Sequence, residues 1–357
     1  MKASHITLYR YAVPFTEPVT VKGHRLLQRE GIILALKSLE SGETAYGEIA
    51  PLPGLHTEPL QAAEAQLVEV LSKHNFAAAG IMQEELYPSV RTGLEMAMIN
   101  LDTAASEDIS AFFPVLQTAK NVPINALLFG DTELIIERAE KLFRLGYRTF
   151  KLKISAGKTD DGIRSIEALH KTFGEQIELR LDANQSLSLD EAILFAESIP
   201  SGSISYIEEP LKDAELIGEF HAKTAIRSAL DETLWQKPEL LDKLPAASLR
   251  ALILKPNRLG GISAALHFAR HAMENNLLAV FSSAFESGIS LSFYARLAAS
   301  ATPVPAACGL DTYRYLQNDL LETPFGAENG FLDAETLYRN GQKVNTRTLK
   351  RTSLWTL

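Results

Sequence analysis

Between about Val122 and Leu310 the chain alternates short apolar runs with amphipathic stretches, and this alternation restricts the fold more than any other feature. The short runs are "INALLFG", "TFKLKI", "IELRLD", "ISYIEE", "IRSALDE", "ALILKP", "LLAVFSS" and, more weakly, "PAACGL". Between them lie stretches with helical spacing, such as "ELIIERAEKLFRLG", "DDGIRSIEALHKTFG", "LDEAILFAESI" and "ISAALHFARHAMENN". About eight strand–helix units in fewer than 200 residues predict an α/β fold with a parallel β/α barrel of the TIM type. An open doubly wound sheet is the other solution. No Gly-x-Gly-x-x-Gly follows the first strand, which counts against a dinucleotide-binding version.

The first ~120 residues read differently. "ITLYRYAVPF", "GIILALKSLE" and "TAYGEIAPL" predict strands, and "LQAAEAQLVEVLSK" and "GLEMAMINLDTAAS" predict helices. Strands followed by helices predict a separate α+β unit. From Asp311 onward the alternation is lost, and this tail is expected to pack back on the N-terminal unit. The expected organisation is thus an N-terminal unit over 1–120, a barrel over 121–310 and a returning segment over 311–357. With 357 residues, 46% of them hydrophobic, the chain can fill two cores.

Charged residues recur where the barrel strands end. The second strand ends in Lys151-Leu152-Lys153, and side chains two apart on a strand share a face, so both ammonium groups point the same way. The next strands end in Asp182, in Glu208 with Glu209, in Asp231 with Glu232, and in Lys255. From Lys153 the steps are 29, 26, 23 and 24 residues, each one strand–helix unit. A single acid at a strand end is ordinarily a helix cap or a solvated loop charge. Five charges in register are expected to meet at one barrel mouth, where active sites of this fold lie. Three carboxylates so gathered repel one another unless a cation joins them. Donors that are all oxygen, without Cys or His, point to Mg²⁺, and the lysines then face each other across it.

Composition narrows the partners. A net charge of −9 argues against nucleic-acid binding, so an anionic substrate needs a metal or a few fixed donors. The one cysteine, Cys308, excludes an internal disulfide and a Cys-based zinc site, and reads as a small buried hydrophobe. His267 and His271 lie four apart on a helix expected outside the barrel. "MKASHITLYR" lacks the apolar run of a signal peptide, and no stretch nears the ~20 apolar residues that span a bilayer. A cytoplasmic location is the expectation; nothing in the sequence fixes the oligomeric state.

With "KLK", "DAN", "EEP", "DE" and "KP" in this order and spacing, nearly the whole chain resembles the enolase superfamily, in its muconate-lactonizing-enzyme-like branch. The resemblance implies a modified (β/α)7β barrel with an N-terminal α+β capping domain. It implies Mg²⁺, with Mn²⁺ as a substitute, held by Asp182, Glu208 and Asp231. It makes Lys153 and Lys255 the acid/base lysines and Lys151 the group that helps keep Lys153 deprotonated. Asn184, Glu209 and Glu232 are expected to support these residues. The implied substrate is a small carboxylate that loses its α-proton to give an enediolate.

Within the branch, "YGEIAPLPGLHTEP", "FSSAFESGISLSFYARLAA" and "GLDT" resemble dehydratases acting on a succinyl-bearing hydroxycyclohexadiene carboxylate. Dipeptide epimerases carry an Asp-x-Asp after the eighth strand, and here only Asp311 stands there. N-acylamino acid racemases share both activities with the dehydratases. A non-catalytic member would have lost a ligand or a lysine, and none is lost. "TVKGHRLLQ" reads as a mobile loop closing the mouth and "PLPGLH" as a stiffer one. Lys22, Arg25, Leu55, Ser282 and Ser283 are the expected substrate contacts; the two serines equally suit a helix cap.

Overall fold

The computed structural model describes residues 3–106 and 119–356. The stretch 107–118, where the expected cap runs into the expected barrel, lies outside the described residues.

The cap is built on strands β1 (Ala3–Val21), β2 (His24–Ser38) and β3 (Thr44–Ile49). The run "GIILALK" lacks the alternation of a one-sided strand because both its faces are covered. Ile32, Leu34 and Leu36 pack with Ile6, Leu8, Leu67, Val90 and Leu94, under helices Leu60–Lys73 and Pro88–Ser106. Ile33, Tyr11 and Val13 face the other way and join the core of the barrel. The cap helix meets the sheet at two glycines. A Cβ on Gly47 would lie 2.0 Å from the carbonyl oxygen of Gly93. Gly47→Ala is therefore expected to cost about 1–3 kcal/mol by overpacking, read as a lower urea midpoint with an unchanged m-value.

Strand β4 (Asn121–Pro123) leads into the barrel. The barrel strands are β5 (Asn125–Leu128), β6 (Thr149–Lys153), β7 (Glu178–Asp182), β8 (Tyr206–Glu208), β9 (Ser228–Leu230), β10 (Leu249–Leu254) and β11 (Leu278–Phe281). They form one parallel sheet in sequence order. The weak eighth run contributes only two residues. Cys308 bridges Ile124, before β5, and Gly309 bridges Ser282, after β11. Those two single bridges close the ring. Cys308 is fully buried, and burial pushes its thiol up to about 12.

Period two sorts each barrel strand into two faces. Tyr206, Ala229, Ala251, Ile253 and Val280 fill the interior. Phe150, Leu152, Leu181, Ile207, Leu230, Leu252 and Phe281 face the outer helices. Those helices begin on the signals the sequence carries: Asp131 accepts the Leu134 N–H at 2.9 Å, and Ser188 with Glu191 forms a capping box. No helix among the described residues is long and apolar enough to cross a membrane.

After the barrel, β12 (Phe331–Asp333) pairs antiparallel with β4, and β13 (Lys350–Thr356) pairs antiparallel with β1. The cap sheet order is β13-β1-β2-β3. The segment Thr20–Gln28, read from sequence as a loop, is instead the end of a hairpin. Val21 pairs with His24, and Lys22 (φ 43°) and Gly23 (φ 86°) make the two-residue turn.

Candidate active site

Strand register places the charged ends side by side. Lys153 is level with Asp182, and Asp182 with Glu208. Asp231 follows β9, and Lys255 follows β10. The three acids thus come from three neighbouring strands, and the lysines from the strand on either side. The carboxylates are buried, at 2%, 1% and 0% exposure for Asp182, Glu208 and Asp231.

Ion pairs hold this cluster. Lys151 Nζ lies 2.9 Å from Asp182 and 2.7 Å from Glu208. Lys255 donates to Asp231. Lys153 is more open, with its side chain 46% exposed; it donates to Asn184 Oδ1 at 2.7 Å and stands 3.4 Å from Asp182. The two lysines of the Lys-x-Lys pair therefore have different surroundings. Lys151 lies between two acids, and Lys153 faces the mouth.

The acids titrate apart. Burial pushes Glu208 well above the usual carboxylate range, and the charge of Asp182 adds to this. Burial raises Asp231 to about 6 against the pull of Lys255. Asp182 is also pushed up by burial, but Lys151 and Lys153 outweigh this and hold it below its ordinary value. Burial opposes the charge on Lys151 and Lys255, and the surrounding carboxylates overcome it.

The donor set fits a small divalent cation. It is all oxygen, and Asp231 Oδ1 and Glu232 Oε2 are buried without a hydrogen-bond partner among the described residues. A bound cation also favours full ionisation of acids that burial holds back. Among the described residues no three Asp, Glu, His or Cys side chains already converge as a coordination sphere.

The expected supporting residues line the same rim. Asn184 donates its N–H to Asp182 Oδ1 at 3.1 Å and has φ 44°. Glu209, fully buried, accepts from the N–H groups of Asp231 at 2.7 Å and Thr233 at 2.8 Å, which fixes the turn after β9. Glu232 is buried, and the hairpin reaches it, since Lys22 Nζ lies 3.8 Å from Glu232 Oε1. Arg25 is exposed and Leu55 half-buried. Ser283 donates to the Gly309 carbonyl at 3.0 Å and sits 2.7 Å from Thr312 Oγ1. Ser282 is buried beside it, 3.4 Å from the same carbonyl.

Loop "PLPGLH" is pinned by His56. Leu52 N–H donates to Nδ1 at 2.9 Å, so Nε2 carries the proton donated to the Asn257 carbonyl at 2.9 Å. Burial first, then Arg258, lowers this imidazole to about 3, which keeps it neutral. The helix position of His267 and His271 gives them no place at the mouth.

Three site residues carry no mark in the sequence reading. Arg180, 2% exposed, shares the inward face with Asp182, donates to the Ala307 carbonyl at 2.7 Å and lies over the Tyr206 ring. Its position two residues before Asp182 is the signal that could have found it. Trp235 lies under both Lys255, at 5.7 Å, and Arg258, at 5.0 Å. Helical spacing from Asp231 to Trp235, and the short step from Lys255 to Arg258, would have pointed to these two.

A cap over a parallel barrel with charged strand ends defines an enolase-type protein. The comparisons agree: the chain belongs to the enolase superfamily, matching the family described as "Enolase C-terminal domain-like" over residues 134–341. Its cap matches "MenC, N-terminal domain" over residues 3–101. It is 30% identical to the o-succinylbenzoate synthase of Haemophilus influenzae, over 94% of this chain and 98% of that one. It is 31% identical to the protein PHYLLO, chloroplastic, of Arabidopsis thaliana, over 99% of this chain but only 24% of that longer protein. The fold is shared with the L-Ala-D/L-Glu epimerase of Bacillus subtilis, with a TM-score of 0.80, 21% identity and coverage of 93% and 96%.

Proposed function

We propose that this chain is an o-succinylbenzoate synthase. It would dehydrate 2-succinyl-6-hydroxy-2,4-cyclohexadiene-1-carboxylate to 2-succinylbenzoate, in the cytoplasm, as a step of menaquinone biosynthesis. The observation that carries the reading is the arrangement of three buried acids on neighbouring strands between two lysines. Similarity to synthases across the whole length supports it.

Asp182, Glu208 and Asp231 would hold Mg²⁺, which supplies charge neutralisation at the substrate carboxylate. Lys153 reaches the open mouth and takes the proton α to that carboxylate. The electrons left behind form the enediolate. The C–O bond to the ring hydroxyl then breaks, Lys153 returns its proton to the departing hydroxide, and water and the aromatic ring result. One lysine serves both transfers because the lost groups share a face. Lys255 keeps its proton and places positive charge beside the enediolate. That charge is catalytic because it binds the transition state more strongly than the substrate.

Asp311 bears on the rival reading. A dipeptide epimerase needs acids there to hold the substrate amine. Asp311 Oδ1 is already engaged by the Tyr147 hydroxyl at 2.7 Å and by Arg314 Nε at 2.8 Å. Racemisation of N-acylamino acids remains the second reading, favoured by the presence of a lysine on each flank.

A spectrophotometric assay of the diene acid tests both. Formation of 2-succinylbenzoate is expected, lost with a chelator and regained with Mg²⁺ or Mn²⁺. If no product forms, while N-succinyl amino acids invert and take up deuterium from D₂O, the racemase reading replaces this one.

A further inference from the structure

Arg29 lies in β2 and is 1% exposed. A guanidinium has five N–H donors and no acceptor, so burying one demands several carbonyl or carboxylate partners. Arg29 makes no ion pair among the described residues; backbone carbonyls satisfy it. Nε donates to Phe285 at 3.0 Å, Nη1 to Pro51 and Glu30 at 2.9 Å each, and Nη2 to Ala50. One planar fork thus joins three mouth elements: the cap hairpin, the loop that starts at Ala50 and the loop that follows β11.

The loop after β11 needs such a hold. Phe285 has φ 61°, a left-handed conformation that a bulky side chain adopts only when its surroundings impose it. Arg29 fixes its carbonyl, Glu286 accepts the N–H of Ala284, and the ring packs edge-on between Phe15 at 5.7 Å and Tyr315 at 5.6 Å. Ser282 and Ser283 stand just upstream in that loop, and Leu55 stands just downstream of Ala50–Pro51.

We infer that Arg29 is a positioning residue for substrate binding: it sets the spacing between the loop carrying Leu55 and the loop carrying Ser282 and Ser283, and through them the seat of the substrate's succinyl tail. It touches neither substrate nor reacting atoms. The inference rests on the proposed reaction for the identity of the tail.

The test compares KM, kcat and the pH profile of kcat for the diene acid in wild type, Arg29→Lys and Arg29→Met, beside each urea midpoint. KM is expected to rise at least tenfold in both variants, since one ammonium cannot span three loops. The shape of the kcat–pH profile should stay as in wild type, because no proton-transfer group is displaced. Activity that falls only as far as the folded fraction falls, with KM within twofold of wild type, overturns the inference. If Arg29→Met does not fold, Phe285→Ala gives the second reading, since it keeps every carbonyl acceptor and frees only the ring. KM within twofold of wild type is expected there, because all of Arg29's carbonyl acceptors remain, beside the tenfold rise in Arg29→Lys; a KM that rises in Phe285→Ala but not in Arg29→Lys overturns the inference. If wild type makes no 2-succinylbenzoate, the proposed reaction falls by itself. The KM comparison is then run on deuterium exchange of N-succinyl amino acids, which carry the same tail.

Discussion

Lys153→Ala is expected to lower kcat by about 10²–10⁴-fold, the range for losing a positioned general acid–base group, while leaving the fold intact. The side chain is 46% exposed and its two partners, Asn184 and Asp182, keep other contacts. Thermal unfolding should thus match wild type within error. Two measurements decide it: steady-state dehydration of the diene acid, and uptake of solvent deuterium at its α-carbon. Both should fall together, because proton removal precedes loss of hydroxide. A variant that keeps kcat within threefold of wild type would transfer the base role to another group, and Lys255 would be the first to examine.

Asp231→Ala is expected to damage both activity and stability. Asp231 is fully buried and pairs with Lys255, whose side chain is only 13% exposed. Removing the acid strands an ammonium group in a dry site, which costs about 3–5 kcal/mol. It also removes one of the three proposed metal ligands, so Mg²⁺ should no longer support turnover. A double variant separates the two effects. Asp231→Leu combined with Lys255→Met removes both charges and should recover most of the stability with none of the activity. Equal urea midpoints for wild type and Asp231→Ala would show that the pair contributes nothing to the fold.

Much of the mouth was legible in the sequence because barrel geometry turns a step of some 25 residues into a shared height. Lys151, Lys153, Asp182, Glu208, Asp231 and Lys255 could be placed without coordinates for that reason. Other residues left no such trace. Arg29 is bonded to main-chain oxygens as distant as Phe285, and a carbonyl looks alike at every position of a sequence. The hairpin Thr20–Gln28 reads as a loop because its tip is polar; its pairing is revealed only by the two-residue turn at Lys22-Gly23. The eighth strand was faint because little of it exists, two residues making one bridge each. The carboxylate cluster was anticipated as a ring around a metal. Which acid each lysine pairs with was not legible, because spacing fixes the height of a strand end and not the partner of its side chain.

Strand β13 borders the cap, its partners running from His5 with Thr356 to Arg10 with Lys350. On the ribosome, the outer strand of that sheet emerges only after every barrel strand has been made. The N-terminal sheet therefore cannot be completed until the barrel strands have been made. At that stage of synthesis every strand of the ring exists while the sheet beside it still lacks its outer strand.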